Sequence, residues 1–344
     1  MKIPVENIYY LLCYAWDKLD EKDIVKVDVD ESTEILDLLT KIMINGTKHI
    51  LKRGIDKNYI ETKEELSGVK GKLDLSATIK ENLLLQKKTN CVYDEYSTNI
   101  LHNQIIKTTL NNLKNTKNLD KNLRIELHKV LFHLPQIDLL KLNYRTFDKV
   151  ELNRNNYFYE FILHVCRIVF DHLLIDESKG EYWFKNFFDD EKKMRILFEN
   201  FVRNFYKKEQ NEYRVKRDRY KWKFSSNDWK SNNHLPYLET DISLESKEQK
   251  IIIDTKFTKS IFYEHWNKEI LRNEHLFQIF AYLLNQENDD EKTKSCEGIL
   301  LYPVTKEEVS LNYTFQNHTI RIETVDLNQN WKSIDRRLKE IIDV

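Results

Sequence analysis

Glycine and proline are scarce in this sequence, six and four among 344 residues. So few breakers exclude a Gly-rich or Pro-rich linker and favour long regular elements, helices above all. Cysteine is nearly as sparse. Cys13, Cys91, Cys166 and Cys296 lie far apart, with no C-x-x-C and no Cys/His cluster at zinc spacing, which excludes a zinc-ribbon or thioredoxin-like reading. They are expected to be buried free thiols in a reducing compartment. No apolar run approaches the length of a membrane span. The run Ile8 to Trp16 has signal-peptide hydrophobicity but neither a basic lead nor a small-residue cleavage site, so a cytoplasmic protein without membrane contact is expected. An excess of either charge is also missing. Lys plus Arg total 55, Asp plus Glu 56, for a net charge of −1, and only local patches can then speak about partners. Finally, there is no phosphate-binding loop. Gly68-Val69-Lys70-Gly71-Lys72 lacks the G-x-x-x-x-G-K-[ST] spacing, which excludes a P-loop NTP-driven motor within this chain.

What is present is a chain long enough for about two domains, with 41% hydrophobic residues to supply a core to each. The most informative stretch is Leu238 to Phe257. Two apolar runs flank Ser246-Lys247-Glu248-Gln249, which predicts a β-hairpin. Symmetry about Lys247 and Glu248 puts Asp241 opposite Asp254, with Cα atoms about 4.5–5.5 Å apart. Lys256, two residues on, points the same way. Ile242, Leu244, Ile251 and Ile253 form the opposite, apolar face. Two carboxylates side by side repel unless something positive lies between them. A divalent cation with oxygen ligands, magnesium or manganese, resolves this, and Lys256 is then placed to orient or deprotonate a water for phosphodiester hydrolysis. A buried ion pair, or a hairpin whose charges are merely solvated, fits the same spacing.

Along the chain, Pro4 suits the start of a helix carrying Ile8, Leu11, Leu12 and Trp16. A second amphipathic helix is predicted from about Ser32 to Lys52, strands around a tight turn from Tyr59 to Leu75, and another strand at Cys91 to Tyr96. Helices follow over Ile100–Leu113 and Asn122–Leu131, a break at Pro135, and an apolar helix over Tyr157–Leu174. The polar stretch Phe147 to Asn156 is the expected domain boundary. The C-terminal half then reads as a helix over Asp189–Lys208, a basic and aromatic run over Tyr213–Phe224, the hairpin, and a long helix over Glu264–Gln286. Strands at Gly298–Tyr302 and Thr319–Val325 and a terminal helix with Trp331, Ile334, Leu338 and Ile341 complete it. The expected fold class is α/β (α+β): a helix-rich N-terminal domain with a small β element over 1–150, and an α/β layer with a crossover helix over 151–344.

The basic run holds Arg214, Lys216, Arg217, Arg219, Lys221 and Lys223, interleaved with Tyr213, Tyr220 and Trp222. It suits contact with DNA phosphates beside a scissile bond, without reading bases. A solvated edge strand guarded by lysines has the same composition.

This order of elements is similar to the core of the PD-(D/E)xK nuclease superfamily. The resemblance implies that Glu199, on the first core helix, joins Asp241 and Asp254-Thr255-Lys256 around the metal, with the Thr255 carbonyl as a further ligand. Thr240 stands where the signature has proline, which weakens the first motif without changing its chemistry. Arg195, Glu199 and Arg203 also fit a surface ion-pair ladder. Gln278 and Tyr282 resemble the Gln and Tyr that RecB-like members carry near the substrate phosphate; a polar edge of a core helix is the plainer reading.

Over most of its length the chain resembles the McrC subunits of McrBC-type modification-dependent restriction systems. The shared blocks are the opening IPVENIYYLLCYAW, the Tyr59–Leu75 block with its Glu-Glu-Leu and Gly-x-x-Gly-x-x-Asp-Leu, Phe198-Glu199-Asn200-Phe201, the hairpin, and Leu276 to Tyr282. The resemblance implies a partner, an AAA+ GTPase ring that binds the modified base, commonly 5-methylcytosine, uses GTP and translocates double-stranded DNA. The N-terminal domain would stimulate that GTPase and the C-terminal domain would cut. Two rivals are a non-catalytic adaptor that activates the NTPase and holds DNA, and a stand-alone repair-type nuclease of the same core.

Overall fold

The computed structural model describes residues 3–16, 34–134, 136–154, 156–176, 181–184, 190–224, 226, 229–266 and 268–343. The expected helix starts at Ser32 and Asp189 and the break at Pro135 lie outside them. Two compact units emerge, one from residues 34–176 and 181–184, the other from 3–16 and 190–343. The chain therefore does not part at 150. Helix Tyr159–His172, expected to open the C-terminal domain, instead packs on helices Ile35–Arg53 and Leu101–Lys114 of the first unit. Its Phe161, Ile162, Val165 and Val169 are buried.

In the first unit these helices and Lys121–Phe132 form the core. Strand Asn58–Leu66 pairs antiparallel with Thr89–Ser97, and the short strand Lys72–Leu73 lies on the other side of Thr89–Ser97. This is the small β element expected from the sequence.

The second unit is built on a six-stranded mixed sheet. Its strand order is Ser310–Phe315, His318–Val325, Glu297–Pro303, Lys250–Thr255, Ile242–Glu245 and Arg214–Lys216. Lys250–Thr255, Glu297–Pro303 and His318–Val325 run parallel, and the flanking pairs are antiparallel. Helix Asn273–Gln286 makes the crossover between the first two parallel strands. Its Ile279, Tyr282 and Leu283 pack with Ile252, Leu300, Tyr302 and Ile322 of the sheet. Gly298 permits this approach, because a Cβ there would stand 2.7 Å from Ile279 Cγ1 and 3.0 Å from Leu283 Cδ1. Helix Glu191–Glu209 contacts Lys250–Thr255 and Arg214–Lys216 and buries Leu197, Phe198, Phe201, Val202 and Phe205.

Helix Val5–Ala15, read from sequence as the start of the N-terminal domain, belongs to this second unit. Tyr14 meets Phe201 edge-on at 5.8 Å and donates to Glu209 Oε1 at 2.6 Å. Asn7 Nδ2 donates to the Leu327 carbonyl at 2.9 Å. Two further expectations are corrected. The long helix over Glu264–Gln286 is a hairpin, Phe262–His265 with Lys268–Leu271, followed by the shorter helix from Asn273. Trp266, at φ +52°, takes a conformation that no α-helix tolerates. Strand Ser310–Phe315, an exposed edge, was missed altogether. All four cysteines are buried thiols, not joined in disulfides. Among the described residues no helix is long and apolar enough to cross a membrane.

Candidate active site

The hairpin closes where the sequence places it. Ser246 Oγ accepts from Gln249 N at 3.0 Å and Glu248 N at 3.2 Å, and Ser246 N donates to the Gln249 carbonyl at 2.9 Å, a hydroxyl-capped turn. The register runs from Lys250 opposite Glu245 to Ile253 opposite Ile242, so one more step sets Asp254 opposite Asp241. There the ladder stops. Asp241 Oδ2 accepts from both Thr255 N and Thr255 Oγ1 at 2.9 Å, so a side chain takes the place of the next strand-to-strand bond.

Asp254 follows Ile252 at a spacing of two and so faces the crossover helix. It is fully buried. Lys256 Nζ lies 2.5 Å from its Oδ2, yet neither carboxylate oxygen accepts a hydrogen bond of ordinary geometry among the described residues. Burial pushes this carboxyl up to about 7. The Lys256 ammonium pulls it back down, while the charges of Asp241 and Glu199 add to the rise. A buried carboxylate with a single close donor is costly.

Lys256 is fixed from its other side. Its ammonium donates to Gln278 Oε1 at 2.7 Å, Gln278 Nε2 donates to Tyr282 Oη at 2.8 Å, and Tyr282 Oη donates to the Glu239 carbonyl at 2.7 Å. The expected Gln and Tyr pair thus forms a chain that orients the lysine and ends on the backbone two residues before Asp241. Burial holds the Tyr282 hydroxyl above its usual range, so it stays protonated as that donor. On the same helix, burial and the charge of Lys256 bring His275 down to about 4, and its Nδ1 meets Tyr302 Oη at 2.8 Å.

Glu199 is half-buried at the same end of the sheet, held by two arginines. Arg203 Nη1 donates to its Oε1 at 2.8 Å and reaches the Asp241 carbonyl at 3.4 Å. Arg217 Nη2 stands 3.5 Å from that Oε1, and Arg217 Nε donates to the Thr240 carbonyl at 3.4 Å. Neither arginine was assigned to the catalytic cluster from sequence. The i, i+4 spacing of Arg203 to Glu199 was visible there, but not its contact with Asp241. Among the described residues no three His, Cys, Asp or Glu side chains are gathered into a ready-made ligand set. The donor set nevertheless fits a hard, oxygen-seeking cation: among the described residues Asp254 Oδ2 faces Lys256 alone, its Oδ1 has no donor, and the hydrogen bonds to the Asp241 carboxylate fall on Oδ2.

The basic run divides. Lys216 is tied to Asp218 at 3.1 Å and Glu245 at 2.6 Å. Arg219 pairs with Glu239 at 3.1 Å and lies 4.0 Å over the Tyr237 ring. Lys223 stands 3.6 Å from Glu287. Arg214 and Lys221 are exposed. Only Arg217 of the six reaches the carboxylate cluster.

A family model described as "McrBC 5-methylcytosine restriction system component" matches residues 6–303. The curated protein "Type IV methyl-directed restriction enzyme EcoKMcrBC" of Escherichia coli (strain K12) is 32% identical over 341 residues, spanning 99% of this chain and 97% of its own length. A chain in the "refined half-complex from tetradecameric assembly of Thermococcus gammatolerans McrB AAA+ hexamers with bound McrC" superposes with a TM-score of 0.58 at 13% identity. It covers 99% of this chain and 75% of that one, and at that identity the likeness is one of fold.

Proposed function

This chain belongs to the family of McrBC 5-methylcytosine restriction system components, and from that premise we infer that it is the McrC-type subunit, a metal-dependent DNA endonuclease that acts with an AAA+ GTPase ring. The observation that carries the nuclease reading is the buried Asp254, which beside Asp241 has the oriented Lys256 as its close partner and, among the described residues, no hydrogen bond of ordinary geometry. Asp241, Asp254, the Thr255 carbonyl and Glu199 would hold magnesium or manganese. When bound, that ion supplies positive charge at the scissile phosphate and at the attacking water.

The chain's own groups do the rest. Lys256, locked between Asp254 and Gln278, holds the attacking water by a hydrogen bond from its amine; as the water's oxygen bonds to phosphorus, the bond from phosphorus to the leaving strand's oxygen breaks and the water's proton passes to solvent. Gln278 and Tyr282 keep it in line. Arg217, half exposed and loosely bonded, is free to turn toward a phosphate oxygen.

The partner reading rests on the related T. gammatolerans assembly, in which McrC is bound to McrB AAA+ hexamers, and on the lack of a P-loop in this chain. The first unit also exposes the apolar side chains Tyr59, Val69, Leu75, Ile79, Leu84 and Leu85, which are available to a protein partner. We expect that unit to stimulate the partner's GTPase. Reconstitution with the partner, methylated duplex DNA, GTP and magnesium tests the whole. Wild type should cut and Asp254→Ala should not, with GTPase stimulation the same for both. Cleavage at wild-type rate by Asp254→Ala would remove the assignment.

A further inference from the structure

The basic run leaves one feature unexplained by phosphate contact. Beyond Arg217 the chain forms a two-stranded ribbon, Arg219 opposite Glu239 and Tyr220 opposite Leu238. One end of this ribbon leads into Arg217 and Asp241. At the other end opens a groove of about 380 Å³, lined by Lys221, Trp222, Phe224, Leu235, Pro236 and Tyr237.

Its walls are aromatic and cationic together. The Trp222 and Phe224 rings lie nearly parallel, with centroids 5.0 Å apart and 16° between planes. Phe224 is 64% exposed and Tyr237 46%. The Arg219 guanidinium covers one face of Tyr237 at 4.0 Å. The indole N–H of Trp222 is sheltered from water, yet has no acceptor among the described residues. A sheltered donor without a partner marks an incomplete site.

Exposed aromatic rings beside Lys and Arg are what an unstacked nucleobase on a phosphate backbone requires: a π-face to stack on and a cation for the charge. A protein partner's apolar anchor would need no such cations. Position agrees with this. Tyr237 precedes Asp241 by four residues, which at about 3.3 Å each spans at most about 13 Å, a reach of a few nucleotides from the cut. We propose that this groove is a base-stacking subsite that takes an unpaired nucleobase of the DNA strand being cut, a short distance from the scissile phosphate. The subsite would favour substrate that is locally melted. It rests on the nuclease reading, and it adds a contact to the base where the basic run offers only phosphate contact.

The test uses full-length protein carrying Asp254→Ala, with and without the partner ring. The probes are a fluorescent single-stranded oligonucleotide and a blunt duplex of the same sequence. Trp222→Ala with Phe224→Ala should weaken binding of the single strand about tenfold or more, the usual effect of losing a stacked base, and leave the duplex unaffected. Trp222→Phe, which keeps a ring, should restore most of the single-strand affinity. Phe224→Ser alone, at an exposed position, should show part of the loss should the double variant fold poorly. Unchanged single-strand affinity in all variants overturns the subsite. Equal losses on single strand and duplex overturn it too, since they report backbone contact. So does intact DNA binding with lost GTPase stimulation, which would make the groove a protein-docking face. Failure of the parent protein to bind either DNA, with or without the ring, removes the nuclease reading itself.

Discussion

Asp218 and Asp254 belong to the same folded unit, and both lie largely out of solvent, yet their surroundings are opposite. Asp218 is held by three donors. The Tyr220 hydroxyl donates to it at 2.5 Å, Lys216 stands at 3.1 Å and Lys250 at 3.2 Å. Burial alone would raise its carboxyl, but Tyr220, Lys250 and Lys216 outweigh burial and hold it below the usual range. Among the described residues Asp254 has Lys256 as its one ion-pair partner and no aligned donor, and burial carries it up to about 7. A carboxylate whose oxygens are both held by donors of the fold has little to offer a ligand and serves the fold. One left short of donors weakens the fold and is retained for what it binds.

Substitution should separate the two most sharply. Asp254→Ala should lower metal-dependent cleavage by about a thousandfold or more, read as product formed by the reconstituted complex, with the melting temperature equal to or above wild type. Asp218→Ala should do the reverse. It strands the buried Lys250 ammonium and should cost about 3 kcal/mol in denaturant unfolding, while molecules that remain folded keep their cleavage rate. If Asp218→Ala proves catalytically dead at full stability, the division between the two carboxylates is wrong.

The pH dependence of stability sharpens the same contrast. Asp254's native carboxyl sits above its unfolded value, so the native state binds the extra proton between about pH 4 and about pH 7. In a metal-free, chelated sample its contribution therefore falls as pH rises through that window, and Asp254→Asn should flatten the slope. Asp218 and Glu245 titrate the other way. Lys216 and Lys292 hold Glu245 down at about 2, so its contribution is present above the ordinary glutamate range and is lost as pH falls toward 2. Glu245→Gln should shallow that acid limb, measured by unfolding midpoints across pH. A smaller effect is expected from Tyr282→Phe. Without the hydroxyl, Gln278 loses the partner that steadies Lys256, and cleavage should drop about tenfold, with GTPase stimulation intact.

How much of this the sequence revealed depends on whether a feature is local. The hairpin register was legible because the turn at Ser246–Gln249 and the flanking alternation fix it within a few residues. The bond from Lys256 to Gln278 was not legible, since a crossover separates the two; resemblance placed Gln278 and Tyr282 only near the substrate phosphate. Strand Ser310–Phe315 was missed although Leu311, Tyr313 and Phe315 alternate with polar residues at a strand's period of two; most of its side chains are exposed, so the alternation marks an edge and not a core strand. The placement of helix Val5–Ala15 was beyond reach. Its partners Glu209 and Leu327 lie hundreds of residues away, and an amphipathic stripe does not say which core it covers. For the same reason Lys216 looked like a DNA contact: a run of basic residues does not disclose that Glu245 and Asp218 are waiting for one of them.

Gly298 carries no reactive group, yet it sets a tolerance for the whole site. Helix Asn273–Gln286 seats against the sheet at a depth that leaves no room for even a methyl at this position, and the same helix holds Gln278 and Tyr282. Adding one carbon at Gly298 would lift it like a shim under a lever arm. The displacement would be read at the far end, in how well an amide oxygen still meets the Lys256 ammonium.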